Sequence, residues 1–302
     1  MITIKSYNTK IIDYGNGDKQ VVCYSHSISI EDDEDIRYLK SEDRKSKIKA
    51  NSSTTLSDSD IEKKYLHSLF TSCNRSKNQL YRLARSNNWD YFLTLTFSRT
   101  KVKDRTNYDE LRNKTIKFFN NLRNRVQPDL KFLGVPEQHK KIEKNNKRAW
   151  HFHFLIANCD NLTFEKLTNI AYYNKVNEDV YSLANWKYGY STATKVKDNE
   201  RVTRYLSKYI TKSLTDVTKG KSRYIASRNL NKAKEYKYMC HSDFFVNDNL
   251  TDTVSLDTLI DKSKIVYEKE KVIATDEFCN TYKYIELRND TTPIIKNGKV
   301  DI

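Results

Sequence analysis

Two histidines separated by a single residue, His151 and His153, stand in the segment W-H-F-H-F-L-I-A-N that runs from Trp150 to Asn158. In an extended strand alternate side chains share a face. His151 and His153 then project together, with Leu155 and Ala157, while Trp150, Phe152, Phe154 and Ile156 line the other side. Their Cα atoms are spaced roughly 6.5–7 Å apart, and a strand holds such a pair more firmly than a loop does. Neutral imidazole is a common ligand of divalent metal ions. Alone, the pair reads equally as two solvated or hydrogen-bonded histidines. Glu137 changes the balance. It closes the preceding apolar strand, and a hairpin through the basic stretch Lys140 to Arg148 brings it beside the imidazoles. Two histidines and a carboxylate leave positions open for water and substrate, whereas Glu137 by itself reads as a solvated strand end.

A second constellation lies downstream, in R-V-T-R-Y-L-S-K-Y-I-T-K from Arg201 to Lys212. At helical spacing Val202, Leu206, Ile210 and Leu214 make an apolar stripe, and Arg201, Arg204, Lys208 and Lys212 a basic sector. Tyr205 and Tyr209 fall on the border between them, four residues apart. Each has a lysine three residues later, Lys208 and Lys212. A lone tyrosine there would be a packing residue; two, each with a lysine, call for a chemical reading. A phenol with a pKa of about 10 is a poor nucleophile unless cations stabilise the phenolate. A divalent ion on a phosphodiester, with lysines against the same phosphate, supplies that charge. Attack then yields a phosphotyrosyl bond and a free 3′-hydroxyl, which is transesterification rather than hydrolysis.

The elements that must position these groups follow from pattern. Ile61 to Ser86 suits a helix, with a break near Cys73-Asn74. Trp89 to Phe97 is a strand by its β-branched and aromatic content. Asn107 to Val126 is an amphipathic helix, Lys131 to Glu137 a strand, and Thr163 to Lys175 a helix burying Phe164, Leu167, Ile170 and Ala171. Tyr188 to Val196 is a strand, and Asp198 or Asn199 caps a helix running to about Leu214. The order β-α-β-β-α-β-α is that of an α+β, split βαβ plan: an antiparallel sheet with helices on one face and the other face free for a site.

The 302 residues carry a net charge of +15, which favours a polyanionic partner. The charge is segregated. Arg201 to Lys234 holds ten bases against the single acid Asp216, whereas Asp243 to Ile302 holds twelve acids and eight bases. Nucleic acid is the expected partner, with Arg201, Arg204, Lys221 and Arg223 among the contacts. Five scattered cysteines without a C-x-x-C pair fit reduced thiols rather than a disulfide frame or zinc finger. Without an apolar run of membrane-spanning length or a signal-peptide core, the expectation is a soluble, cytoplasmic protein.

Three motifs in order resemble those of rolling-circle replication initiators, the HUH endonucleases of plasmids and single-stranded DNA phages. They are F-L-T-L-T-F (Phe92 to Phe97), H-F-H-F (His151 to Phe154) and the tandem Y-x-x-K-Y-x-x-K (Tyr205 to Lys212). V-P-E-Q-H (Val135 to His139) is similar to the segment bearing that family's acidic metal ligand. W-K-Y-G-Y (Trp186 to Tyr190) and R-Y-I-A-S-R-N-L (Arg223 to Leu230) also look like initiator sequence. The resemblance spans roughly Ser76 to Leu230. It implies the HUH fold, Mg²⁺ or Mn²⁺ on His151, His153 and Glu137, and a nick at single-stranded or hairpin origin DNA. It also implies 5′-attachment to Tyr205, with Tyr209 serving a second transfer. The turn before His151 is longer than in compact members. The nearest phosphate-loop candidate, Gly220-Lys221-Ser222, has Thr215 where a glycine should stand, so unwinding and synthesis fall to a host helicase and polymerase.

The chain divides, on this reading, into an appendage (1–58), a nicking and strand-transfer domain (59–235) and a mixed strand and loop extension (236–302). In the appendage, Gly15-Asn16-Gly17-Asp18 between two apolar runs reads as a hairpin turn. A mobilisation relaxase or HUH-type transposase would use the same chemistry. A non-catalytic RNA-binding module on the same plan would carry an R-G-F-G-F-V-type strand; none is present, and the tyrosine–lysine repeat would go unexplained.

Overall fold

The computed structural model describes residues 6–29, 58–143, 146–168, 179–211, 214, 218, 221–241, 244, 253–275, 278–289, 295–296 and 299–300. The chain forms two compact units, one of residues 62–232 and one built from residues 1–61 with 233–302. The second unit begins with β1 (Ser6–Asp13) and β2 (Lys19–Ser29), the hairpin expected from the glycine pair. Gly15 and Gly17 take φ of 78° and 92° there, and the Gly15 N–H donates to Asp13 Oδ1 at 2.8 Å.

The 62–232 unit is carried by α1 (Asp58–Arg85), β3 (Tyr91–Phe97), α2 (Tyr108–Arg125), β4 (Lys131–Ile142), β5 (Arg148–Ala157), β6 (Phe164–Lys166), β7 (Val180–Leu183), β8 (Gly189–Lys195), α3 (Asn199–Ser207) and β9 (Ile225–Ala226). The strands form one antiparallel sheet in the order β6-β7-β8-β3-β5-β4-β9. Asn107 caps α2, its side chain accepting from the Glu110 N–H. From α2, Tyr108, Leu111, Thr115, Phe118, Phe119 and Leu122 are buried, the face its periodicity marks. Phe119 meets Phe132 of β4 and Phe154 of β5, each with ring centroids 4.4 Å apart, and Phe118 meets Trp186. Burying each such ring contributes roughly 1.5–3 kcal/mol. Gly134 is what lets Phe154 lie down: a Cβ there would stand 2.2 Å from the ring.

Three expectations are corrected. Helices lie on both faces of the sheet, because α2 covers the Phe152/Phe154 side while Tyr205 of α3 meets Phe92 on the side of His153. The helix expected over Thr163 to Lys175 begins instead as β6, where Phe164 pairs with Leu183 and stacks on Tyr91 at 4.2 Å; Ile170, Ala171 and Lys175 lie outside the described residues. Helix α1 runs without the expected break. Cys73 is buried and its thiol faces the Ile210 carbonyl at 3.7 Å, so packing overrides the weak local propensity.

The other unit continues with β10 (Lys234–Tyr238), β11 (Cys240–His241), β12 (Val254–Ser255), α4 (Leu256–Leu259), β13 (Ile265–Thr275) and β14 (Phe278–Leu287). Its five-stranded antiparallel sheet has the order β10-β1-β2-β14-β13. Ile11, Val21, Cys23, Leu256, Ile285 and Leu287 are in its core. Cys23, Cys73, Cys159 and Cys240 are buried free thiols. Among the described residues no helix is long and apolar enough to cross a membrane.

Candidate metal centre and tyrosine pair

The hairpin of β4 and β5 sets Glu137 directly opposite His151. Cross-strand partners share a face, so the carboxylate and both imidazoles converge. Glu137 Oε2 accepts from His151 Nε2 at 2.7 Å and from His153 Nε2 at 2.8 Å. One donor atom from each residue lies within 4.8 Å of the others, so a single ion could reach all three. Burial alone would push the Glu137 carboxyl up, but the hydrogen bonds from His151 and His153 outweigh it and hold it at about 2. Burial lowers the pKa of His153, which keeps the ring neutral, the form a metal needs.

The donor set fits a divalent cation in its orientation as well. Thr94 on β3 pairs with His153, and its Oγ1 lies 3.0 Å from His153 Nδ1. With Nε2 turned to a metal, Nδ1–H would donate to this hydroxyl and fix the tautomer, the usual outer support of a ligating histidine. His139, two residues past Glu137, lays its ring 4.3 Å from that of His151. Burial, with His151 and Arg105 nearby, pushes its pKa down, and its Nε2 is buried with no hydrogen-bond partner among the described residues.

The tyrosine segment is held over this face by a buried ion pair. Asp198 caps α3, accepting from the Arg201 N–H at 2.9 Å. Glu200 in the first turn meets Arg85 at the end of α1, 3.5 Å apart, both side chains under a tenth exposed. The Asn199 amide donates to the Asn87 carbonyl at 2.7 Å. The helix is shorter than its pattern suggests. It closes at Ser207, and the N–H groups of Lys208, Tyr209 and Ile210 bond to carbonyls only three residues back, the tightening common at helix ends. Leu206, Ile210 and Leu214 are buried as the stripe requires.

That tightened turn lays Tyr209 flat on His153, with centroids 4.1 Å apart and planes at 16°. Tyr205 meets the edges of Phe92 and Tyr209, each at 5.3 Å, and is 45% exposed. Burial, then a hydrogen bond with the Tyr205 hydroxyl, drives the Tyr209 pKa up. Lys208 Nζ stands 5.8 Å from the Tyr205 ring centroid. Lys212 lies outside the described residues.

The four basic residues expected on nucleic acid separate into two places. Arg201 and Arg204 are on the exposed side of α3, where Arg204 pairs with Glu200. Lys221 is bonded to Asp109 of α2 at 2.5 Å, and Arg223 donates to Ser76 Oγ at 2.9 Å. The segment they begin lines a groove of about 580 Å³ against α2, with Arg112, Arg123 and Arg228 on its walls. Sequence reasoning did not pick out these arginines, Thr94 or Glu200. Thr94 had a signal: with Thr96 it is one of two threonines on the His face of a strand otherwise built of aromatic residues and leucine.

Residues 90–214 match the model of a replication-associated protein family, the one that takes in ORF2 and the phage gene II protein. The matched stretch runs from just before β3 to Leu214, and so contains Glu137, both histidines and both tyrosines. The resemblance carried by the three motifs is met there. No curated protein and no solved structure gave a match.

Proposed function

We propose that this protein is a rolling-circle replication initiator that nicks and rejoins single-stranded or hairpin origin DNA through a phosphotyrosyl intermediate. The observation that carries the reading is the juxtaposition of Glu137, His151 and His153 with a tyrosine pair whose inner ring lies on His153. The family match supports replication over mobilisation or transposition. The sheet order supports the HUH fold, since β8-β3-β5-β4 is the arrangement of a split βαβ unit whose first strand is β3.

His151, His153 and Glu137 would hold Mg²⁺ or Mn²⁺, which when bound supplies positive charge to the scissile phosphodiester. Tyr205 is the nucleophile for the first cut, being the tyrosine that stands open to a strand. Its oxygen bonds to phosphorus as the bond from phosphorus to the 3′-oxygen breaks. The phenol proton leaves to solvent, and the 3′-oxygen departs as a hydroxyl after taking one up. Lys208 and Lys212 set cationic charge beside the phosphate. Tyr209 serves the second transfer. Arg201, Arg204, Lys221 and Arg223 bind the DNA backbone, and a host helicase and polymerase extend the freed 3′ end.

The test is incubation with single-stranded origin DNA and Mn²⁺, followed by denaturing electrophoresis. A covalent protein–DNA adduct, lost when Tyr205 and Tyr209 are both Phe, supports the reading; no adduct from the wild type, or an undiminished one from the double variant, overturns it.

A further inference from the structure

Across the sheet, residues directly opposite one another form rows on the face that carries the histidines. One row is Glu137, His151, Thr96 and Tyr190, on β4, β5, β3 and β8 in turn. The next is Val135, His153, Thr94 and Thr192. Tyr209 covers the second row at His153, and Tyr205 covers Phe92 beyond it. The first row ends at Tyr190, two strand spacings or roughly 10 Å from His151.

Tyr190 is 74% exposed, the most open large hydrophobic side chain among the described residues. No ring, cation or hydrogen-bond partner meets it among those residues. Its neighbours on the face, Thr96 across the ladder and Thr192 two residues on, are small. The backbone beneath it is nevertheless closely fixed. Gly189 approaches β3 so tightly that a Cβ would stand 2.1 Å from the Thr96 carbonyl oxygen. The same oxygen accepts from the Trp186 indole N–H at 3.2 Å. The W-K-Y-G-Y segment therefore clamps to one carbonyl of β3 and holds an aromatic ring in water, in line with the metal-binding group. A ring carried on a fixed backbone and without a partner offers a π-face that every unpaired base can stack on.

We propose that Tyr190 is a stacking platform for an unpaired nucleobase of the strand being processed. The site would take a base of any identity close to the scissile phosphate, and would refuse a base pair, whose faces are already stacked. The inference rests on the proposed single-stranded DNA substrate but not on the nicking chemistry.

The experiment measures affinity by fluorescence anisotropy in EDTA, where no cleavage interferes. Labelled single-stranded and duplex oligonucleotides of one sequence are titrated with wild type, Tyr190→Ala and Tyr190→Phe. Tyr190→Ala should weaken single-strand binding by roughly 5- to 150-fold, the worth of one stacked base, while leaving duplex binding and the thermal midpoint unchanged. Tyr190→Phe should bind like wild type. Equal single-strand affinity in wild type and Tyr190→Ala overturns the proposal, as does a loss shared by the duplex or by Tyr190→Phe. A wild type that forms no covalent adduct but shows the Tyr190-dependent loss would retain the platform and discard the initiator chemistry. Adduct formation with no effect of Tyr190→Ala would do the reverse.

Discussion

The phenol of Tyr209 lies 4.1 Å above the imidazole of His153 and nearly parallel to it. The tyrosine motif therefore touches the histidine motif directly, and the inner ring shields one face of a candidate metal ligand. Replacing Tyr209 by Ala should free His153 to turn and weaken Mn²⁺ binding, whereas Phe keeps the stacked ring and should keep the affinity. Titration of Mn²⁺ by calorimetry checks this. Equal affinities for Ala and Phe would show that the stack does not hold the ligand in place.

The two tyrosines should separate kinetically. Tyr205→Phe is expected to abolish the first adduct, and Tyr209→Phe to leave first cleavage but impair the second transfer. Single-turnover cleavage and rejoining assays on origin DNA read the two steps apart. First cleavage lost in Tyr209→Phe and kept in Tyr205→Phe would exchange the roles.

Metal removal should reveal an acid-sensitive centre. His153 has its pKa lowered by burial, so the unfolded chain binds this proton more readily and stability falls as pH drops below about 6.5. The Glu137 carboxyl, held at about 2 in the folded chain, adds a second loss as pH falls from its ordinary 4.5. Both signs agree: the metal-free protein loses thermal midpoint on acidification. Added Mn²⁺ should raise the midpoint more at pH 7.5 than at pH 5.5, because the ligands bind it deprotonated. His151→Ala and His153→Ala should each remove the metal-induced shift and cleavage while sparing salt-sensitive DNA binding.

Glu200→Ala should be costly to stability, although Glu200 is not one of the proposed catalytic or metal-holding residues. It leaves the Arg85 guanidinium, under a tenth exposed, without its carboxylate. Breaking a buried pair from one side costs about 3–5 kcal/mol. Urea unfolding measures it, and a change under about 1 kcal/mol, the range of surface pairs, would mean that the pair does not anchor α3.

The groove against α2 gives a prediction in salt. If Arg112, Arg123 and Arg228 hold phosphates, each Arg→Gln should lower the slope of log affinity against log salt by about one contact. An unchanged slope in the triple variant would remove this groove from the DNA path.

The cluster of Glu137, His151 and His153 was legible because its geometry is local. Period-two alternation puts His151 and His153 on one face, and a single hairpin delivers Glu137. Helix α2 was equally plain, its apolar spacing and Asn107 cap agreeing. The end of α3 was not. The tightened turn after Ser207 answers to Ile210 burying and Tyr209 finding His153, contacts between residues far apart in the chain. β6 departs from its helical periodicity for the same reason, since Phe164 takes its conformation from Leu183 and Tyr91. The pairing of β2 with β14 had no local signal at all, because hairpin logic reaches only neighbours in the chain.

That last pairing bears on how the protein is made. The Thr281 N–H on β14 donates to Ser25 Oγ on β2, across 256 residues of sequence. At about 5–20 residues per second a ribosome needs roughly 10–50 s to travel from one to the other. The whole 62–232 unit emerges in that interval. For its length β2 keeps an open edge, and an isolated hairpin is marginal in water. The nascent chain thus completes the 62–232 unit while the β1–β2 hairpin still carries one open edge, which closes only when β14 arrives, and until then a chaperone would have most to protect.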